Sequence, residues 1–307
     1  MSQPDSENQM DLPNTEFDAY LMVDWCAENQ PKKGEDSLWY CLYDRTDDAW
    51  TTENPPTRRQ ATDQIASILH ETTKQGKAIL TGFDFPFGYP AGFSSALGLR
   101  GKPPWRAVRN ELKGLITDDD KNRNNRFEAA ASFNQRISSQ PFPFWGRPQT
   151  MTSPWISGKK ARPHLAEFRL TEQKTKGAQP VWKLLGKGCV GSQALVGIPC
   201  VARLRDDDEL SPHSAVWPFE TGLTQLPPRT KRKWLILYAE IFFPAVFKAV
   251  AGPGEIKDQV QVRKLVERLK AEDERGELGK WFAGPGELSK EDRRKIVSEE
   301  GWILGVR

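Results

Sequence analysis

Histidine is scarce in this 307-residue chain. There are three, His70, His164 and His213, and none stands at a spacing that matches a nucleophilic or metal motif. A Ser–His or Cys–His triad is therefore not expected. Cysteine is almost as rare. Cys26, Cys41, Cys189 and Cys200 are scattered without a CxxC pair, so there is no zinc or disulfide framework to read, and thiols in a reducing compartment fit. No apolar run approaches the roughly 20 residues that span a bilayer, and residues 1–17 lack a basic-then-apolar leader pattern. A cytoplasmic protein with no membrane association is the expectation. A bulk charge of one sign is missing too. Lys and Arg number 44 against 41 Asp and Glu, so any contact with nucleic acid has to come from a local basic surface.

What is present is a moderate apolar content of 37% and eleven tryptophans, enough for a core. Residues 1–16 read as a disordered lead-in, and 17–307 as a single domain with an irregular insertion at about 91–230. Ala19 to Trp25 is strand-like and delivers Asp24 at its end. Ser37 to Tyr43 follows after a turn as an antiparallel partner, and Ala49 to Thr52 completes a meander. Asn54-Pro-Pro56 stops the sheet. Thr57 then caps a helix whose apolar positions are Ala61, Ile65, Ile68 and Leu69. Lys77 to Phe85 is a further buried strand, and Asp84 stands at its end among aromatics. Within the insertion, 123–136 reads as helix and 165–172 as a strand. Trp234 to Pro244 is a strong strand with Glu240 inside it. Residues 256–269 are amphipathic through Val262, Leu265, Val266 and Leu269, which places Asp258 on the inward face of the first turn. The end, 297–306, is strand-like and apolar enough to pack back on the core.

Four acids thus occupy special places: Asp24, Asp84, Glu240 and Asp258. A buried carboxylate costs several kcal/mol unless it is paired or bound to a cation. The element order is that of a ribonuclease-H-like α/β fold: a mixed five-stranded sheet flanked by helices, with the long insertion between the fourth and fifth strands. In that order Asp24, Asp84 and Asp258 converge, and converging carboxylates are satisfied by Mg²⁺ or Mn²⁺. Such ions stabilise the oxygens of an in-line phosphoryl displacement. Milder readings stand beside these: an Asx-turn for Asp84, an ion pair with an arginine for Glu240, a helix-end acid for Asp258.

Gly186-Lys-Gly-Cys-Val-Gly191 matches G-x-G-x-x-G. A dinucleotide site needs a strand before it and a full helix after it, and Pro199 follows too soon. The loop reads instead as ordinary turn glycines or as backbone that approaches a phosphate, with Lys187, Ser192 and Gln193 as substrate contacts. Arg169 either pairs with Glu172 or meets substrate.

Asp84-Phe-Pro-Phe-Gly-Tyr-Pro90, Glu240-Ile-Phe-Phe-Pro244 and Gly301-Trp-Ile303, in this order, resemble the DUF429-like family, a group assigned a nuclease domain of ribonuclease-H fold. The resemblance covers the two ends of the chain. It implies a metal-dependent nuclease or phosphodiesterase with Asp24, Asp84 and Asp258 as metal ligands, Glu240 as a further catalytic acid, and nucleic acid as partner. Two other functions fit the same residues: an enzyme acting on a small phosphorylated metabolite or nucleotide, and a non-catalytic binding module.

Overall fold

The computed structural model describes residues 15–160, 164–246 and 251–307. Most of the expected lead-in lies outside the described residues. Its described end is tied down: the Glu16 and Phe17 amides donate to the Asp273 carboxylate at 2.7 and 3.0 Å.

A six-stranded mixed sheet runs through the molecule in the order β3-β2-β1-β4-β6-β5. The strands are β1 (Ala19–Asp24), β2 (Trp39–Asp44), β3 (Ala49–Glu53), β4 (Ile79–Phe83), β5 (Ser214–Val216) and β6 (Ile236–Glu240). β1, β2 and β3 form the antiparallel meander, and β4, β6 and β5 add parallel strands beyond β1. The meander, the central helix and the β4 strand fall where the sequence places them. One strand exceeds the expected five. β5 is only three residues long and lies inside the expected insertion, where so short a run leaves no periodic signal.

β1, β4 and β6 are buried on both faces, and so read as apolar runs rather than as alternating patterns. On one face, Ala19, Leu21, Val23, Ile79, Phe83, Ile236 and Tyr238 meet α1 (Arg58–Lys74), α2 (Pro104–Leu115), α3 (Arg126–Ser138) and α4 (Val190–Arg205). On the other, Tyr20, Met22, Leu80, Leu237 and Ala239 meet α5 (Lys257–Glu274). Thr57 caps α1 by accepting from the Gln60 amide at 3.3 Å, and Gly76 leaves the helix in the left-handed region at φ 67°. Val262, Leu265, Val266 and Leu269 form the buried stripe of α5, each contributing roughly 1.5–3 kcal/mol.

Three local expectations are corrected. Residues 165–172 form no strand. They lead into a helical turn, Leu170–Lys174, stapled by Glu172, which accepts from the Arg169 amide at 2.6 Å. The glycine-rich stretch opens a full helix, since α4 runs for 16 residues through Pro199. The backbone hydrogen bond lost at that proline is offset by burial of Leu195, Val196, Ile198 and Val201, while Gly197 sits against the ring of Phe85. The C-terminal stretch packs on the core, but as a helical turn over Ile296–Glu300 and not as a strand. Only a single bridge, Ile303 to Glu240, touches the sheet. No helix among the described residues is long and apolar enough to cross a membrane.

Candidate functional site

Parallel pairing sets β1 and β4 in step: Val23 stands opposite Phe83. The next residues out, Asp24 and Asp84, therefore leave neighbouring strand ends side by side on the face that α5 covers. The two carboxyls interact directly, and that interaction favours a proton on Asp24 over one on Asp84. Asp84 also accepts from the Trp25 amide at 2.6 Å. Burial holds Asp24 well above the ordinary carboxylate range, and the charges of Asp84 and Asp258 push in the same direction. Burial raises Asp84 to about 7 against the pull of the Trp25 amide and the Asp24 hydroxyl. Without a cation, the pair keeps at least one proton at neutral pH.

Asp258 is on the first turn of α5, facing the pair as expected from the amphipathic pattern. It accepts from the Asp36 amide at 2.7 Å. Its pKa is raised by burial despite that bond, and its charge is felt by both Asp24 and Asp84. The three acids are not gathered into one ligand set, however. Among the described residues, no group of three or more His, Cys, Asp or Glu side chains is disposed to hold a metal ion.

Glu240 belongs elsewhere. β6 pairs Glu240 with Phe83, one residue short of Asp84, so its side chain leaves the opposite face of the sheet. Arg169 grips it through both terminal nitrogens, one at 2.8 Å, and the Phe87 amide donates to it at 3.0 Å. Arg169 is fully buried. Its Nε donates to Glu172 at 2.7 Å and its Nη1 to the Glu300 carbonyl at 2.7 Å. Arg169 therefore has no surface on which to meet a substrate. This ionic knot supports the site from behind. Glu300 accepts from the Ala91 amide, and Glu299 from the Gly92 and Ser94 amides, at 2.7–2.9 Å. Together they fasten the loop that leaves Asp84.

A cavity of about 640 Å³ opens at the strand ends, and Asp24 and Asp258 line it. Lys187, Ser192 and Gln193, the substrate contacts expected from the sequence, line it as well. Their side chains do different things. Lys187 is exposed. The Ser192 hydroxyl is committed, donating to the Leu184 carbonyl at 2.6 Å and accepting from Arg126 at 3.0 Å. The Gln193 amide group donates to the Trp25 carbonyl, tying α4 to the strand that carries Asp24. Cys26 and Cys189 also line the cavity, and burial raises both thiols, which keeps them protonated. His70 faces Asp207 and Glu209, and His164 packs on Phe142, and neither lines the cavity.

Arg126 is the wall residue that sequence reasoning misses. It opens α3 within a charged, asparagine-rich run, Asp118 to Arg126, where one more arginine carries no signal. The chain matches no family model, no curated protein and no solved structure.

Proposed function

We propose that this chain is a metal-dependent phosphoester hydrolase of the nuclease or phosphodiesterase kind, built on a ribonuclease-H-like core. The observation that carries the reading is the Asp24–Asp84 pair: two partly buried carboxyls side by side at the ends of adjacent parallel strands, whose raised pKa values mark a place where a cation would serve. The crevice beyond the carboxyl ends of parallel strands is also where α/β proteins bind their ligands. Two carboxylates suit Mg²⁺ or Mn²⁺, which take one or two protein carboxylates and complete their shells with water and substrate oxygens. Asp24 and Asp84 would hold the ion. A divalent cation there supplies Lewis-acid stabilisation of charge developing on a phosphoryl oxygen.

The chain's own residues do the rest. The Trp25 amide fixes the rotamer of Asp84, and the ionic knot around Arg169 fixes the loop behind it. Asp258 stands apart from the pair with a raised pKa, which suits a carboxylate that accepts a proton from an attacking water. Lys187 meets substrate phosphate at the open side of the cavity.

A nucleotide-sized phosphate ester is the second reading, favoured by the cavity volume of about 640 Å³, which falls in the range of small-molecule sites. Purified protein assayed with Mg²⁺ and Mn²⁺ against DNA, RNA, nucleotides and an activated phosphodiester tests both. Cleavage that is lost in Asp24→Asn and Asp84→Asn supports the hydrolase. Absence of any cleavage, together with absence of cation binding by calorimetry, removes it.

A further inference from the structure

The cavity that Asp24 and Asp258 line is also lined by two cations, Arg126 and Lys187, that form no ion pair among the described residues. Arg126 is 8% exposed. Its Nε donates to the Ser192 hydroxyl at 3.0 Å, and its Nη1 to the Asn124 side chain at 2.8 Å and to the Asn29 side chain. All three acceptors are neutral. Among the described residues, no carboxylate lies within ion-pair distance of this guanidinium, and its Nη2 has no hydrogen-bond partner. A buried guanidinium without a counter-ion is an expensive arrangement. Burial and the neighbouring Arg58 lower its pKa to about 10.

Two further features of the same wall favour an anion. Lys187, held out between the left-handed Gly186 and Gly188, carries no ion pair among the described residues. The first turn of α4 also ends at the cavity. The Val190 and Gly191 amides are taken by the Gly188 and Lys183 carbonyls, both at 3.0 Å. The Ser192 amide finds no backbone acceptor among the described residues, and it lies at the positive end of the helix dipole. Glu28 also lines the cavity and is exposed; it and Glu128 reach Arg126 only as charges beyond ion-pair distance. The cavity therefore carries both signs: Asp24, Asp258 and the mixed Glu28, Lys32 and Asp36 of the β1–β2 connection line it together with Arg126 of α3 and Lys187 just before α4.

We infer that Arg126, Lys187 and the Ser192 amide form a phosphate subsite that takes the terminal phosphomonoester of a nucleotide-sized ligand. A planar guanidinium with a free terminal nitrogen, a mobile ammonium and a backbone N–H together match the three outer oxygens of such a group. The inference rests on the proposed hydrolase for the orientation of the substrate, with the phosphate on the cationic wall and the bond to be broken toward Asp24 and Asp84. The subsite itself needs no metal.

Calorimetric titration in EDTA with inorganic phosphate, a nucleoside 5′-monophosphate and the matching nucleoside tests it. Phosphate and the monophosphate are expected to bind wild type and Asp84→Asn alike, and the nucleoside at least tenfold more weakly. Arg126→Gln should weaken both phosphates on the order of tenfold or more, and Lys187→Ala by about fivefold. Lys187 is exposed, so its variant reports even if Arg126→Gln folds poorly. Unchanged affinity in Lys187→Ala and in folded Arg126→Gln overturns the subsite, as does failure of phosphate to bind at millimolar concentration. Phosphate binding of the expected pattern in a protein that cleaves nothing keeps the subsite and removes the hydrolase. Cleavage that is insensitive to both variants does the reverse.

Discussion

Replacing Asp84 by asparagine should stabilise the metal-free protein at neutral pH and abolish the cation binding proposed for the pair. The Asp84 carboxyl is raised from 3.8 to about 7 in the fold. Between those values the folded chain holds a proton that the unfolded chain has released, so stability falls as pH rises through the window. Above pH 7 the loss is complete. At about 1.36 kcal/mol per pH unit it amounts to roughly 4 kcal/mol, a sizeable share of the 5–15 kcal/mol of a typical domain. Asparagine escapes this loss and keeps the geometry: its carbonyl still accepts from the Trp25 amide, and its N–H₂ donates to Asp24. The ceiling on the gain is therefore about 4 kcal/mol at pH 8, and less than about half of that at pH 5. Urea denaturation in EDTA at the two pH values measures it. Added Mg²⁺ should then raise the stability of wild type and leave the variant unmoved. A variant less stable than wild type at pH 8, or one whose gain is equal at pH 5 and pH 8, would refute a raised pKa at Asp84.

Two other substitutions probe what stands behind the site. Arg169→Met leaves Glu172 and Glu240 buried without their cation and should cost about 3–5 kcal/mol in a denaturant titration; a change under about 1 kcal/mol would mean the knot is dispensable. Gly88→Ala drives a methyl group into the Glu299 and Glu300 carbonyls, so the melting temperature should fall with a destabilisation of about 1–3 kcal/mol. Cleavage should fall with it, because the same segment positions Asp84.

The meander, α1, β4, β6 and α5 were legible because each carries its own periodic or apolar signal within a few residues. Asp24, Asp84 and Asp258 were legible for the same reason: a strand end or a helix turn fixes their place locally. α4 was not, because propensity alone ends a helix at Pro199, whereas burial of that face against Phe85 carries it through. The 297–306 stretch misled in the opposite way. Its apolar residues Trp302, Ile303 and Leu304 are buried as expected, but Glu299 and Glu300 are engaged with the Ala91–Ser94 backbone, and Gly301 turns the chain at φ 74°. Apolar content alone does not tell a strand from a buried turn.

Glu240 and Asp84 look equivalent in sequence, each an acid at the end of an apolar run that precedes a proline. What separates them is register. Side chains alternate along a strand, so an offset of one residue between neighbours sends two acids to opposite faces of the sheet. β1 and β4 pair without an offset between their acids, and β4 and β6 pair with an offset of one. Asp84 therefore joins Asp24 on the α5 side, while Glu240 enters the layer that holds Arg169. That register depends on long-range pairing across more than a hundred residues of intervening chain, and no local pattern encodes it. The consequence is a division of labour among identical chemical groups. The acids in register are left beside each other with raised pKa values. The acid out of register is neutralised by a guanidinium and becomes scaffold. Moving Glu240 by one position along β6 would exchange these roles, so the identity of the site lies in strand parity as much as in the carboxylates themselves.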